Sequence, residues 1–182
     1  RWWKELTIDD LGRTIAEFGL NIGAIKLNPD NPFQWASGYR MPIYNDNRMF
    51  LFHPEMRRTI AHGLADIVAR EGISPEVVAG TATAGIPHGA LLADVLALPY
   101  IYIRDKPKAH GLKNRIEGLD ADSDLGGRSV VVIEDLISTG GSSARAVASG
   151  LSSPVSSAAR RRSRRSRPRG GSTTRTRRSR SS

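Results

Sequence analysis

The sequence predicts an α/β fold, a mostly parallel sheet flanked by helices. Two observations carry this. From residue 77 onward the chain repeats one unit, a short apolar strand, a loop of small residues and a helix. Its strand segments, Val77-Val78-Ala79-Gly80, Tyr100-Ile101-Tyr102-Ile103 and Val130-Val131-Val132-Ile133, are near-continuous apolar runs, the pattern of parallel strands covered on both faces.

The elements follow in order. Thr7-Ile8-Asp9-Asp10 has the composition of a helix cap, and Leu11, Ile15 and Phe18 recur at helical spacing until Gly19 and Gly23 interrupt them. Between 24 and 50, short apolar pieces alternate with turn formers such as Asn28-Pro29-Asp30 and Ser37-Gly38, which predicts short antiparallel strands. A helix is predicted from Pro54 to Arg70, with Pro54 in its first turn, Ile60, Leu64, Ile67 and Val68 on one face, and Gly72 as its stop. The loop 81–85 leads to a helix over 86–98 with Pro87 in its first turn. Residues 104–127 are polar and charged and are predicted to be a long exposed segment. After the strand ending at Ile133, a loop runs to Gly141 and a helix begins at Ser142.

Length, 182 residues, fits one domain with a sizeable core. The high pI, about 10.6, points first to a nucleic-acid binder. Locating the charge removes that: residues 151–182 hold 11 arginines and no acid, leaving 16 basic against 18 acidic residues in 1–150. The stretch 151–182 is mainly Ser, Arg, Thr, Gly and Pro and lacks the apolar surface needed to offset ordering entropy, so a disordered tail is predicted there. The change of character comes just after a helix that should feed a further strand, and a C-terminally truncated sheet with a replaced tail is the expectation. With no cysteine, disulfides and thiolate chemistry are excluded, and the four histidines match no zinc spacing. No apolar run approaches the roughly 20 residues needed to span a bilayer, so the chain reads as soluble and cytoplasmic.

The sharpest feature is Val130-Val131-Val132-Ile133-Glu134-Asp135-Leu136-Ile137-Ser138-Thr139-Gly140-Gly141-Ser142. A buried strand ends in two adjacent carboxylates, then gives a small-residue loop entering a helix. Backbone N–H groups at a helix start seat a phosphate, Gly140 and Gly141 admit close approach, and Ser138, Thr139 and Ser142 add hydroxyl donors. Two carboxylates there would repel the phosphate unless they hold ribose hydroxyls or hydrated Mg²⁺. An ordinary βα turn explains any one of these residues, but not the whole run. No lysine follows the glycines and no G-x-G-x-x-G occurs, so nucleoside triphosphate and dinucleotide sites are not indicated.

This run resembles the phosphoribosyl pyrophosphate (PRPP) motif of the type I phosphoribosyltransferases. The resemblance implies that Glu134 and Asp135 contact ribose and that Leu136, Ile137, Ser138, Thr139, Gly140, Gly141 and Ser142 wrap the 5′-phosphate, with Ser138 also close to the base. Two further stretches are similar to the orotate branch. Tyr102 to Gly111 resembles its catalytic lid, which implies that Arg104, Lys108 and His110 reach the pyrophosphate of the neighbouring subunit's site in a homodimer, with Asp105 where many relatives are basic and Lys106 beside it. Thr81-Ala82-Thr83-Ala84-Gly85 resembles the pyrophosphate loop in a version without lysine, and His88 is taken as a helix or interface residue. Phe33-Gln34-Trp35-Ala36-Ser37-Gly38 and Pro42-Ile43-Tyr44-Asn45-Asp46-Asn47-Arg48 resemble the hood over the base, which spans about 20–50, and a plain hood-core role explains Trp35 and Tyr44 equally well. The implied reaction joins orotate to PRPP, giving orotidine 5′-monophosphate and pyrophosphate, with Mg²⁺ carried by PRPP and no direct metal ligand on the protein. Alternatives remain: another base, a PRPP-binding regulator, or an inactive form whose basic tail binds nucleic acid unspecifically.

Overall fold

A computed structural model describes residues 7–35, 37–104, 115–119 and 125–148. Helix α1 (Ile8–Asn21) begins at a complete capping box: the Asp10 backbone N–H donates to the Thr7 hydroxyl at 3.2 Å, and Asp10 receives the Thr7 N–H. Its Leu11 is buried against α2 (Pro54–Arg70) where that helix carries Gly63. A Cβ at Gly63 would stand 2.6 Å from Leu11 Cδ2, so the missing side chain is what lets the two helices meet. Ala24, Phe50 and Met56 close this corner, with Phe18 ring-stacked on Phe50 at 6.3 Å.

Between α1 and α2 lie two antiparallel ribbons, as the alternation of turn formers predicts: β1 (Ile25–Leu27) with β4 (Ile43–Asn45), and β2 (Phe33–Gln34) with β3 (Arg40–Met41). Trp35 straps them together, its indole N–H donating to the Ile43 carbonyl at 2.9 Å, and Tyr44 packs on Phe33 with ring centroids 5.6 Å apart. Gly38, at φ +88°, closes the β2–β3 turn where a side chain would be strained. A 3-10 helix, Asn47–Phe52, then leads into α2.

The main sheet has the order β7-β6-β5-β8, formed by β5 (Val77–Thr81), β6 (Tyr100–Ile103), β7 (Ile116–Glu117) and β8 (Val130–Ile133). Strand β5 is parallel to both β6 and β8, and β7 runs antiparallel to β6. Helix α3 (Gly85–Leu96) follows β5, and α4 (Gly141–Ala146) follows β8. On one face Val78, Leu92, Ala93 and Ile133 form a core with Leu64, Ala65 and Leu96, so α2 and α3 cover it. On the other face Val77, Ala79, Ile101 and Ile103 pack with Ile116, Leu119, Leu125 and Val132. Each fully buried Val or Ile side chain here contributes about 1.5–3 kcal/mol.

Two expectations are corrected. Ile67 is 43% exposed, and the buried stripe of α2 runs through Met56, Thr59, Ala61, Gly63 and Val68, with Gly63 taken up by the contact with Leu11 of α1. The segment 104–127 is not wholly loop: Ile116–Glu117 adds an antiparallel strand, paired as Ile103↔Ile116 and Tyr102↔Glu117. The predicted tail at 151–182 lies outside the described residues.

Candidate phosphoribosyl site

The parallel strands β5, β6 and β8 place Thr81, Ile103 and Ile133 at one sheet edge. The chain leaves β5 towards β6 on one side, while β8 lies on the other. The strand order therefore reverses between β5 and β8, and the crevice at such a switch point is where open α/β sheets bind ligands. Both loops predicted to bind the substrate, 81–85 and 134–141, start at this point.

The first loop is drawn tight. The buried Thr81 hydroxyl donates to the Ile133 carbonyl at 3.2 Å, the Ala82 N–H donates to the Ile103 carbonyl at 2.8 Å, and the Ala82–Thr83 peptide is cis. Gly85 opens α3 at a point where a Cβ would lie 2.5 Å from Thr81 Oγ1 and 2.6 Å from the Ile133 carbonyl. Gly89 also sits close to Gly80, with a Cβ 3.0 Å from the Gly80 Cα, so α3 lies directly on β5. Tyr100 ties them together: its hydroxyl donates to the Ile86 carbonyl at 2.7 Å, and burial pushes its pKa up to about 12.

The second loop begins with the acid pair. Burial pushes the Glu134 carboxyl up from its ordinary range, the Thr81 hydroxyl pulls it down, and Asp135 beside it pushes it up again. The Asp135 backbone N–H donates to Glu134 Oε1 at 3.2 Å. The Asp135 carbonyl accepts from Asn47 Nδ2 on the 3-10 helix. Leu136, Ile137, Ser138 and Thr139 are exposed, Ile137 to 68%, and Gly140 takes φ +73° to turn the chain into α4. The loop thus offers hydroxyls and backbone to solvent directly beside two carboxylates, one of them short of the hydration its charge needs.

Of the predicted lid residues, Arg104 is described. It ends β6 with Nη1 3.2 Å from Glu117 Oε1 on β7, and its N–H donates to the Arg115 carbonyl at 2.8 Å. Lys108 and His110, with Asp105 and Lys106, lie outside the described residues. His88 is buried in α3, 5% exposed, with neither ring nitrogen in a hydrogen bond. Burial holds its pKa below the ordinary value, and the nearby Asn47 backbone opposes that without forming a bond of good geometry. Sequence reasoning missed Asn47 as a partner of the acid pair and Glu117 as a partner of Arg104. Neither contact has a local signal, since both join residues far apart in the chain.

The family model of the phosphoribosyl transferase domain matches residues 47–153. The chain belongs to the phosphoribosyltransferase family. Among curated members, the orotate phosphoribosyltransferase of Lactococcus lactis subsp. cremoris (strain MG1363) is 52% identical over 138 residues, 76% of this chain and 64% of that protein. That of Streptococcus pneumoniae serotype 19F (strain G54) is 53% identical over the same shares. The chain therefore spans 64% of the length of these relatives. The crystal structure of orotate phosphoribosyltransferase from Aeropyrum pernix superposes with a TM-score of 0.60 at 28% identity, over 75% of this chain and 72% of that one. The fold is thus that of the phosphoribosyltransferases, with the acid pair and both loops at its switch point. Among the described residues no group of three or more His, Cys, Asp or Glu is placed to hold a metal, and no helix is long and apolar enough to cross a membrane.

Proposed function

We propose that this chain carries a site that transfers the phosphoribosyl group of PRPP to orotate, giving orotidine 5′-monophosphate and pyrophosphate for pyrimidine biosynthesis. The observation that supports it best is the acid pair at the switch point, with Glu134 desolvated and the exposed 136–139 loop directly after it. In this reading Glu134 and Asp135 accept hydrogen bonds from the ribose hydroxyls. The hydroxyls of Ser138 and Thr139 and the backbone of 136–142 take the 5′-phosphate, and Ser138 lies towards the base. The 81–85 loop holds pyrophosphate through backbone N–H groups.

Mg²⁺ fits as a passenger on the substrate. It keeps much of its water shell and would be held by oxygens of PRPP, not by a protein ligand. When bound it neutralises pyrophosphate. The C1–oxygen bond breaks with its electron pair on the leaving pyrophosphate, an orotate ring nitrogen supplies the pair that forms the new bond to C1, and the proton of that nitrogen is released to the pyrophosphate or to solvent. No protein nucleophile is required, so positioning and charge stabilisation carry the rate. Arg104, released from Glu117, together with Lys108 and His110, would meet the charge on pyrophosphate, across a homodimer in the arrangement implied by the family resemblance. The orotate-named relatives at 52–53% identity favour orotate over other bases.

The test is isothermal calorimetry with PRPP and Mg²⁺, followed by pyrophosphate release with orotate, adenine, guanine or uracil as acceptor. Saturable PRPP uptake with release dependent on orotate is the expected result. No PRPP uptake, or release with another base instead, overturns the proposal.

A further inference from the structure

Asn47 sits where the antiparallel ribbons hand over to the 3-10 helix, directly after β4 and Asp46. Its side chain reaches across 88 positions of sequence to the backbone carbonyl of Asp135. The neighbouring Arg48 is gripped by Asp46 through two bonds of 2.7 and 2.9 Å, which, with Asp135 nearby, favour its charged form. From the other side, His88 fills the space against the Asn47 backbone without using either ring nitrogen. The turn 46–48 is therefore fixed by its own ion pair, seated on a buried ring, and bonded to the second residue of the acid pair.

We propose that Asn47 is a positioning residue: its amide fixes the peptide after Asp135, sets the direction of the Asp135 carboxylate and couples the N-terminal ribbons to the ribose end of the site. The carbonyl of Asp135 and its carboxylate share one backbone unit, so a donor that holds the carbonyl limits where the carboxylate points. The ribbons carry the segments likened to the hood over the base, so the same bond links occupancy there to the geometry of the sugar grip. The functional part of this inference rests on the assignment of Glu134 and Asp135 to ribose; the mechanical part does not.

Two measurements separate them. Hydrogen–deuterium exchange on the ligand-free protein reads the mechanical clamp, and calorimetry with PRPP and Mg²⁺ reads its effect on binding. Loss of one amide-to-carbonyl bond predicts about three- to tenfold faster exchange over 135–140 in Asn47→Ala and in the isosteric Asn47→Asp, with β5 and β6 unchanged. PRPP affinity falls by a similar factor, and Asn47→Gln, which keeps the amide, recovers part of both losses. If Asn47→Ala unfolds, Asn47→Asp decides. Unchanged exchange over 135–140, or a Gln variant no better than Ala, overturns the inference. If the unaltered protein takes up no PRPP, the functional proposal falls, while the exchange result still settles the clamp.

Discussion

Glu134 is held in a conflict between its burial and its charge. Burial raises its pKa, so the folded state takes up a proton more readily than the unfolded chain, whose value is near 4.5. A group raised in this way favours folding below its unfolded value, and that contribution is lost as pH rises through the folded value. Near neutrality the ionised carboxylate therefore weighs against the empty fold, and in the proposed role ribose hydroxyls would add hydrogen bonds to it. Glu134→Gln should raise the melting temperature of the ligand-free protein at pH 7.5 by up to about 4 °C, since partial exposure keeps the gain below about 1 kcal/mol. The difference should vanish as pH falls below about 4.5. The same change should weaken PRPP by about tenfold to a hundredfold, as hydrogen bonds to a charged group are lost. A variant that is both less stable at neutral pH and unimpaired in binding would contradict the role. The carboxylates were legible because two acids after an apolar strand are costly without a purpose. Asn47 was not legible: an asparagine in a turn has an ordinary local use, and only folding shows that its amide meets Asp135.

Helix α3 lies on β5 because Gly80, Gly85 and Gly89 remove the side chains that would keep them apart. At Gly85 the obstacles to a Cβ are the Thr81 hydroxyl and a backbone carbonyl, neither of which has room to move. Gly85→Ala should cost about 2–3 kcal/mol, read as a lower urea midpoint, and should shift Thr81 away from Glu134. Tyr100→Phe removes the hydroxyl that caps the Ile86 carbonyl and should cost about 1 kcal/mol, with an unchanged midpoint as the contrary result. At this scale the sequence was most readable where a pattern had length. The bounds of α2 agree with the prediction from Pro54 and Gly72, since a proline start and a glycine stop bracket seventeen residues. Its buried face was misjudged because part of it, Gly63, is fixed by the close approach of Leu11 on α1, which hydrophobicity does not mark. Strand β7 was invisible, since two residues have no periodicity and their pairing with β6 is decided by the sheet.

Across the molecule, the parallel sheet followed from the repeated strand–loop–helix unit, but the strand order that creates the switch point is a property of the assembled sheet. The same assembly buries His88 between α3 and the start of the 3-10 helix, and this gives the whole fold a pH dependence. Burial depresses the His88 pKa below the 6.5 of the free side chain. In acid the unfolded chain therefore binds a proton that the folded chain refuses. The contribution is intact above pH 6.5 and is lost as pH falls from there through the folded value, at no more than about 1.4 kcal/mol per pH unit. Since neither ring nitrogen is hydrogen-bonded, an apolar side chain of similar size gives up little at high pH. His88→Leu should match the unaltered protein in urea midpoint at pH 8 within about 1 kcal/mol and exceed it at pH 5.5. Glu134 acts in the opposite sense, gaining folded-state protons as pH falls, so the double variant with Glu134→Gln isolates the histidine. If the two proteins lose stability in parallel between pH 7.5 and 5.5, His88 titrates freely, and its burial is not what sets the acid limit of the fold.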